Sequence, residues 1–283
     1  MIFVTGASGN VGQAVVDQLS RGQIPYRTGA RRPDTISPSP GAEVVAFDFL
    51  NPDTYQPAVA GCEAVFLLRP PAISNTKQTL NVFIEVAREA GVKQVVFVSV
   101  AGAADQPWVP HHAVEQHLKN GPPSWTILRP GFFAQNLGDA YRDDIVNDHR
   151  LYVPAGEGNV AFIDARDIAA AAVIALTDLT PHAGQSYTLT GPQAVSFNDV
   201  ANSLTQELNR PIRYEAASLL GYVRHLRKRH MPWGQVVVQT ILHRGLCYGE
   251  AEEVTDTLGN LLGRSPLTIA DYIRDHRDLW LQP

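Results

Sequence analysis

Ile2-Phe3-Val4-Thr5-Gly6-Ala7-Ser8-Gly9-Asn10-Val11-Gly12 carries a short apolar strand directly into a glycine-rich turn. Three glycines at this spacing answer three local demands. Gly6 permits the tight turn after the strand, Gly9 lets backbone N–H groups approach a ligand with no Cβ in the way, and Gly12 lets the following helix pack close to the strand. Val11, Val15, Val16 and Leu19 then form the apolar stripe of a helix over 10–21. Its N-terminus presents the positive end of the helix dipole. Glycines alone mark any tight turn; a strand before them and an amphipathic helix after them make the motif a pyrophosphate cradle. The segment predicts a dinucleotide site formed by Gly6, Ala7, Ser8, Gly9, Asn10, Val11 and Gly12.

Outward from this turn, apolar runs at 26–30, 44–47, 64–68, 95–100 and 125–128 alternate with amphipathic stretches at 53–60, 75–90 and 111–120. In 75–90, Leu80, Phe83, Ile84 and Ala87 share one stripe, and Gly91 follows as the terminating glycine. Such alternation is the pattern of a parallel sheet wound on both faces. The fold class is therefore α/β, a Rossmann-type doubly wound parallel sheet with a smaller, mainly helical C-terminal lobe. Beyond residue 130 the rhythm changes to a loop at 154–158, a strand-like segment 159–164, a helical run 166–177 and a strand at 186–190. A helix from Ser196, a short strand near 212–215 and mostly helical sequence complete the chain. These readings give an NAD(P)-binding domain over 1–153, to which 159–190 returns, and a substrate-side lobe over 191–283. The Pro-rich patch 33–41 reads as a surface loop.

Hydrophobic residues make up 45% of the 283-residue chain and charged residues 18%, a globular profile with no disordered tail. A net charge of -5 supplies no global basic field, which disfavours direct nucleic-acid binding. The two cysteines, Cys62 and Cys247, have no metal-ligand spacing and point to a reducing compartment. No stretch reaches the length of a membrane span, and the N-terminus enters a strand without a signal core. The expected location is the cytoplasm.

The second strand ends Thr28-Gly29-Ala30-Arg31-Arg32. An NAD-binding turn places an acid there for the ribose 2′-OH, whereas two guanidinium groups suit a 2′-phosphate. NADP(H) is thus preferred over NAD(H), the alternative being that Arg31 and Arg32 are solvated charges opening a loop. Asp48, after the third strand, is a candidate for the adenine end or a loop-capping aspartate.

Three further blocks extend the glycine motif: His111-His112-Ala113-Val114-Glu115-Gln116-His117-Leu118 with Trp125 to Phe133, Phe162-Ile163-Asp164-Ala165-Arg166-Asp167-Ile168-Ala169, and Tyr187-Thr188-Leu189-Thr190-Gly191-Pro192 with the late Leu262-Gly263-Arg264. Together they resemble the NmrA-like atypical short-chain dehydrogenases over nearly the whole chain. That family includes NAD(P)H-dependent quinone reductases, triphenylmethane-dye reductases and azoreductase-like enzymes, and also NADP-sensing regulators without turnover. The resemblance fixes a cofactor more firmly than a reaction.

One departure stands out. Ordinary short-chain dehydrogenases carry Tyr-x-x-x-Lys; here the lysine position is His111 and the tyrosine position is Pro107. Hydride transfer to a conjugated acceptor tolerates that loss, because such an acceptor spreads the arriving charge and takes its proton from solvent or a histidine. His111 is the candidate for a ribose or substrate contact and for catalysis, against a helix-end histidine with local contacts only. Leu67, Leu68 and Arg69, with Pro70, follow the fourth strand and should line the cofactor. Ser99 ends the fifth strand, where the resemblance places a hydroxyl toward the nicotinamide; a turn residue is the alternative. Phe132 and Phe133 close the sixth strand, as cover for a flat acceptor or as core. Asp164, Arg166 and Asp167 read as architectural, with Asp164 capping the helix that follows.

His111, His112, Glu115 and His117 lack a zinc-binding arrangement, so no metal is expected. The basic run His225 to His230 reads as a solvated helix face. Tyr222, Met231, Trp233 and Leu246 are apolar candidates for the substrate-side lobe. The leading reading is an NADPH-dependent oxidoreductase that passes hydride to a conjugated small-molecule acceptor such as a quinone, held between the domain and the lobe. The alternative is a non-catalytic NADP(H)-sensing regulator acting through protein–protein contacts. A homodimer or a regulatory protein partner stays open.

Overall fold

In a computed structural model that describes residues 1–35, 41–122 and 125–281, the chain divides into two compact units, residues 1–130 with 165–189 and residues 131–164 with 190–283. Residues 36–40 of the Pro-rich patch lie outside the described residues. The strands are, in chain order, β1 (Ile2–Val4), β2 (Tyr26–Ala30), β3 (Ala42–Ala46), β4 (Ala64–Leu68), β5 (Gln94–Val98), β6 (Trp125–Pro130), β7 (Arg150–Val153), β8 (Asn159–Val160), β9 (Gln185–Leu189), β10 (Val195–Ser196) and β11 (Arg213–Ala216). The helices are α1 (Asn10–Arg21), α2 (Tyr55–Val59), α3 (Leu80–Glu89), α4 (Pro110–Lys119), α5 (Arg142–Asn147), α6 (Ala165–Thr177), α7 (Leu179–His182), α8 (Phe197–Leu208), α9 (Leu219–Lys228), α10 (Trp233–Leu246), α11 (Thr257–Leu262) and α12 (Ile269–Asp275).

The first unit holds a seven-stranded sheet in the order β3-β2-β1-β4-β5-β6-β9, with every neighbouring pair parallel. The chain builds outward from β1 to β3, then crosses back and builds the other way from β4 to β6. The reversal leaves a switch point between β1 and β4, where crossover connections on opposite faces open a crevice at the carboxyl ends of the strands. This is the doubly wound sheet that the alternating pattern predicts.

Its core explains a glycine that no turn demands. Phe3, Phe47 and Phe83 pack edge to face or tilted, with the Phe3–Phe47 and Phe47–Phe83 centroids each 5.1 Å apart. A Cβ on Gly29 in β2 would lie 2.7 Å from Phe47 Cβ and 2.9 Å from Phe3 Cζ. Helix α3 buries Leu80, Phe83, Ile84 and Ala87, the stripe read from sequence, but it starts later than the pattern suggests. Thr79, at φ -124° and ψ -85°, separates it from a 3-10 turn over Thr76–Gln78. The stretch 53–60 likewise resolves into a 3-10 turn at Pro52–Thr54 and the short α2.

In the second unit, β7 pairs parallel with β11, and β10 pairs antiparallel with β8. The strand-like segment 159–164 contributes only the two residues of β8 and one bridge from Ile163 to Phe133. Its apolar side chains are spent on the core instead: Phe162 packs against Phe197 with centroids 5.7 Å apart. Capping boxes start α8 (Ser196 with Asp199) and α12 (Thr268 with Asp271). Among the described residues no helix is long and apolar enough to cross a membrane.

Candidate functional site

The site is built where β1, β4 and β5 end. Gly6 takes a left-handed conformation at φ +66°, and its carbonyl accepts the Gly9 N–H at 3.0 Å, closing the turn. Gly12 is held by sterics: a Cβ there would lie 2.0 Å from the Gly6 carbonyl oxygen. Gly9 differs from both. It has φ -95°, and a Cβ would meet nothing closer than Gly6 O at 3.6 Å. The fold itself tolerates a side chain at Gly9; only an incoming group would collide with one. As the N-cap of α1, Gly9 has no side chain to satisfy the first-turn amides, so this end suits an anion. Gly6, Ser8, Gly9 and Asn10 are exposed, and Ala7 is half-buried.

Thr5 ties the turn to the neighbouring strand. Its hydroxyl donates to Phe66 O at 3.1 Å and accepts from Leu68 N at 2.8 Å. Leu67 is buried in the core and Leu68 half-buried, its Cδ2 2.9 Å from where a Gly6 Cβ would be. Arg31 and Arg32 are exposed beyond the end of β2. Asp48 Oδ1 accepts from Leu50 N at 2.9 Å, which makes it at least a loop-capping aspartate.

Arg69 and His111 form the most informative pair. Arg69 Nη1 donates to the carbonyls of Pro70, Pro71 and Ile73, which fixes the guanidinium, while its Nε donates to His111 Nε2 at 3.2 Å. His111 Nε2 is thus an acceptor, and the ring proton sits on Nδ1. That Nδ1–H is buried and, among the described residues, has no partner. Burial, with the Arg69 charge beside it, lowers the His111 pKa to about 4, against a smaller opposing pull from Glu115. The imidazole is neutral at pH 7 and offers one donor, not a labile proton. A buried N–H without a partner costs about 1–3 kcal/mol, which a ligand acceptor would recover.

One turn further along α4, Glu115 is fully buried and accepts from Arg129 Nε at 3.0 Å and Arg129 Nη2 at 2.5 Å. The Ser99 hydroxyl donates to Glu115 Oε1 at 2.6 Å, and Lys119 Nζ lies 3.5 Å from Oε2. Burial pushes the Glu115 carboxyl up, but the Arg129 and Ser99 hydrogen bonds outweigh it and hold the pKa below the usual range. The sequence reading named Ser99 and did not find this network. Its partners lie 14 and 16 residues apart, and only the packing of α4 on β5 and β6 joins them. The Ser99 proton is committed to Glu115 rather than held for a ligand.

The remaining candidates are placed as follows. Phe132 packs edge to face on Phe162 and His243 at 5.6 and 5.7 Å, and Phe133 bridges to Ile163, all inside the second unit. Asp164 accepts from Gln135 Nε2 at 3.1 Å. Tyr222 and Leu246 are buried in the second unit's core, Met231 packs against it, and Trp233 is exposed. His112 hydrogen-bonds to Ala103 O and His117 to Glu85, so these histidines diverge from His111. Among the described residues no group of three or more His, Cys, Asp or Glu side chains is placed to hold a metal ion.

An open glycine cradle, an uncapped helix start and one buried orphan donor fit a dinucleotide. Comparison with known proteins agrees. Residues 6–179 match the family model described as NAD(P)H-binding. The NAD(P)H azoreductase of Xenophilus azovorans is 34% identical over 284 residues, covering 98% of each chain. Two crystal structures share the fold at a TM-score of 0.85 and 24% identity, each covering 97% of this chain and 99% of its own. They are the Citrobacter sp. triphenylmethane reductase complexed with NADP(H) and the NADPH-dependent quinone oxidoreductase of Escherichia coli complexed with NADPH. The chain belongs to the NAD(P)H-binding family, as the NmrA-like resemblance of its motifs implies.

Proposed function

We propose that this protein is an NADPH-dependent reductase that passes hydride to a conjugated acceptor such as a quinone. The observation that carries the reading is the state of α4's start: Pro107 stands in the tyrosine position, and His111, in the lysine position, is a neutral imidazole fixed by Arg69. No acid is poised there to protonate a simple ketone as hydride arrives. A quinone or dye needs none, since its conjugated system delocalises the charge until solvent supplies the proton. The nicotinamide, when bound, supplies the hydride.

The chain's own residues bind and position. Gly6, Gly9 and Gly12 shape the turn that takes the pyrophosphate, and Arg31 with Arg32 take the 2′-phosphate through charge-assisted contacts. His111 Nδ1–H donates to a ribose hydroxyl, and Asp48 serves the adenine end. Catalysis then rests on orientation rather than acid–base chemistry. Phe132 and Phe133 remain the proposed substrate-side aromatics. The names of the azoreductase, dye-reductase and quinone-reductase relatives support this class of acceptor.

The test is nucleotide titration followed by turnover. NADPH should bind at least about tenfold tighter than NADH, a gap worth 1.4 kcal/mol, and Arg31→Ala should erase it. Bound NADPH should then be oxidised by members of a panel of quinones, dyes and enones. Tight binding without oxidation by any acceptor would favour the NADP(H)-sensing regulator, and failure to bind either nucleotide would remove both readings.

A further inference from the structure

The second unit carries an apolar face that its own core does not use. On α10, Trp233, Val237, Val238, Ile241 and Leu242 recur at helical spacing and are each more than half exposed, while Val236, His243 and Leu246 turn inward. Leu219 and Leu220 at the start of α9, which packs on α10, and Tyr248 just after α10 are exposed as well. Exposed apolar side chains so contiguous mark an interaction surface rather than chance.

Charge selects the occupant. From Ala216 to Gly249 there is no Asp or Glu, yet the segment holds Arg224, Arg227, Lys228, Arg229 and Arg244, in a chain whose net charge is -5. Arg229 is neutralised by Asp144 at 2.9 Å. Among the described residues the other four have no carboxylate partner within ion-pair range. Two of them stand at the ends of the apolar stripe: the Arg227 guanidinium lies over Trp233 at 4.8 Å, and that of Arg244 over Tyr248 at 4.6 Å. Aliphatic residues between two arginine–aromatic pairs form the pattern of a helix lying in a lipid interface, where rings and guanidinium groups sit at headgroup level.

We propose that the α9–α10 face docks on an anionic lipid surface, with the stripe Val237, Val238, Ile241 and Leu242 entering the acyl boundary and the arginines and Lys228 meeting headgroup phosphates. A second copy of the chain would bring the same positive rim against itself, which opposes a symmetric pairing. The run His225 to His230, expected as a solvated helix face, is solvated only in part: His225 and Arg229 pair with Asp144, and Leu226 is buried. Lipid docking stands apart from the reductase reading and is measured without nucleotide.

The experiment is co-sedimentation of the full chain with vesicles of phosphatidylglycerol and phosphatidylcholine in equal parts, against phosphatidylcholine alone. Binding should appear only with the anionic vesicles and weaken with salt. Each Lys or Arg near such a surface contributes about 1 kcal/mol, so Arg227→Ala with Lys228→Ala should weaken it about thirtyfold. Ile241→Asp with Leu242→Asp should abolish it while thermal unfolding stays that of the parent, since both side chains are exposed. A blue shift of tryptophan emission on binding should disappear in Trp233→Phe. No binding to anionic vesicles would overturn the proposal. Binding that survives Ile241→Asp with Leu242→Asp would reduce it to polyanion attraction and overturn it as well. A dimer that sedimentation equilibrium shows dissolving with that same variant, without vesicle binding, would assign the face to a second copy.

Discussion

His111 in the first unit and His243 in the second are both buried, share a state and differ in their hydrogen bonds. His111 and His243 are both lowered to about 4, chiefly by burial, so each is neutral at pH 7. His243 is saturated: Nδ1–H donates to Gln239 O at 2.7 Å, and Nε2 accepts the Tyr141 hydroxyl proton. His111 is half-satisfied, with Nε2 accepting from Arg69 and Nδ1–H buried without a partner among the described residues. Folding alone would not select the second arrangement, because an unpaired buried donor opposes it. The saturated His243 reads as architecture, and the unsatisfied His111 donor supports the ribose contact proposed for it.

The largest effect expected from this contrast lies in the second unit. His243→Ala removes a ring that contacts Phe132, Tyr141 and Tyr222 and strands the Tyr141 hydroxyl in the core. A cavity plus a lost buried hydrogen bond should cost about 3–5 kcal/mol. Thermal or urea unfolding would read that loss, while nucleotide affinity of the folded protein should not change. If affinity fell with stability, the division of labour between the two histidines would be wrong.

Acid should expose what the two sites share. A histidine whose folded pKa is depressed is neutral in the fold and charged in the unfolded chain over the interval between its two pKa values. The unfolded state then binds more protons, so stability rises with pH. The contribution of each site is intact above about pH 6.5 and is lost as pH falls toward 4, amounting to about 3 kcal/mol per histidine at pH 4. Unfolding measured from pH 7 to pH 4 should show this slope. A flat profile would mean that neither ring is held neutral.

The same contrast separates what sequence shows from what it hides. The glycine turn is legible because each demand is local: a positive φ at Gly6, contact with Gly6 O at Gly12, and open space at Gly9. The parallel sheet is legible because its strands are apolar runs between periodic helices. His111 is legible as a position, through Pro110 and the motif around it. Its protonation state is not, since burial sets it first and the second cause, Arg69, lies 42 residues away. The Ser99–Glu115–Arg129 network was hidden for the same reason. So was β7, a strand of four residues whose partner β11 starts 63 residues later and whose pattern is too short to show a period.

The smallest effect is also the sharpest. His111→Phe keeps a planar ring, somewhat larger than imidazole, but removes both the acceptor for Arg69 and the unpaired donor. Stability should change by no more than about 1 kcal/mol, because the Arg69 guanidinium keeps its three carbonyl contacts and the fold gives up a donor that it never satisfied. NADPH affinity should fall about tenfold, the worth of one buried hydrogen bond to a ligand. His111→Gln offers a carbonyl oxygen to Arg69 and an N–H to the ligand, and should recover affinity to within about threefold of the parent. Isothermal titration of the three proteins decides the matter. Equal affinity in the Phe variant would return His111 to the class of His243, a buried ring with a purely structural task.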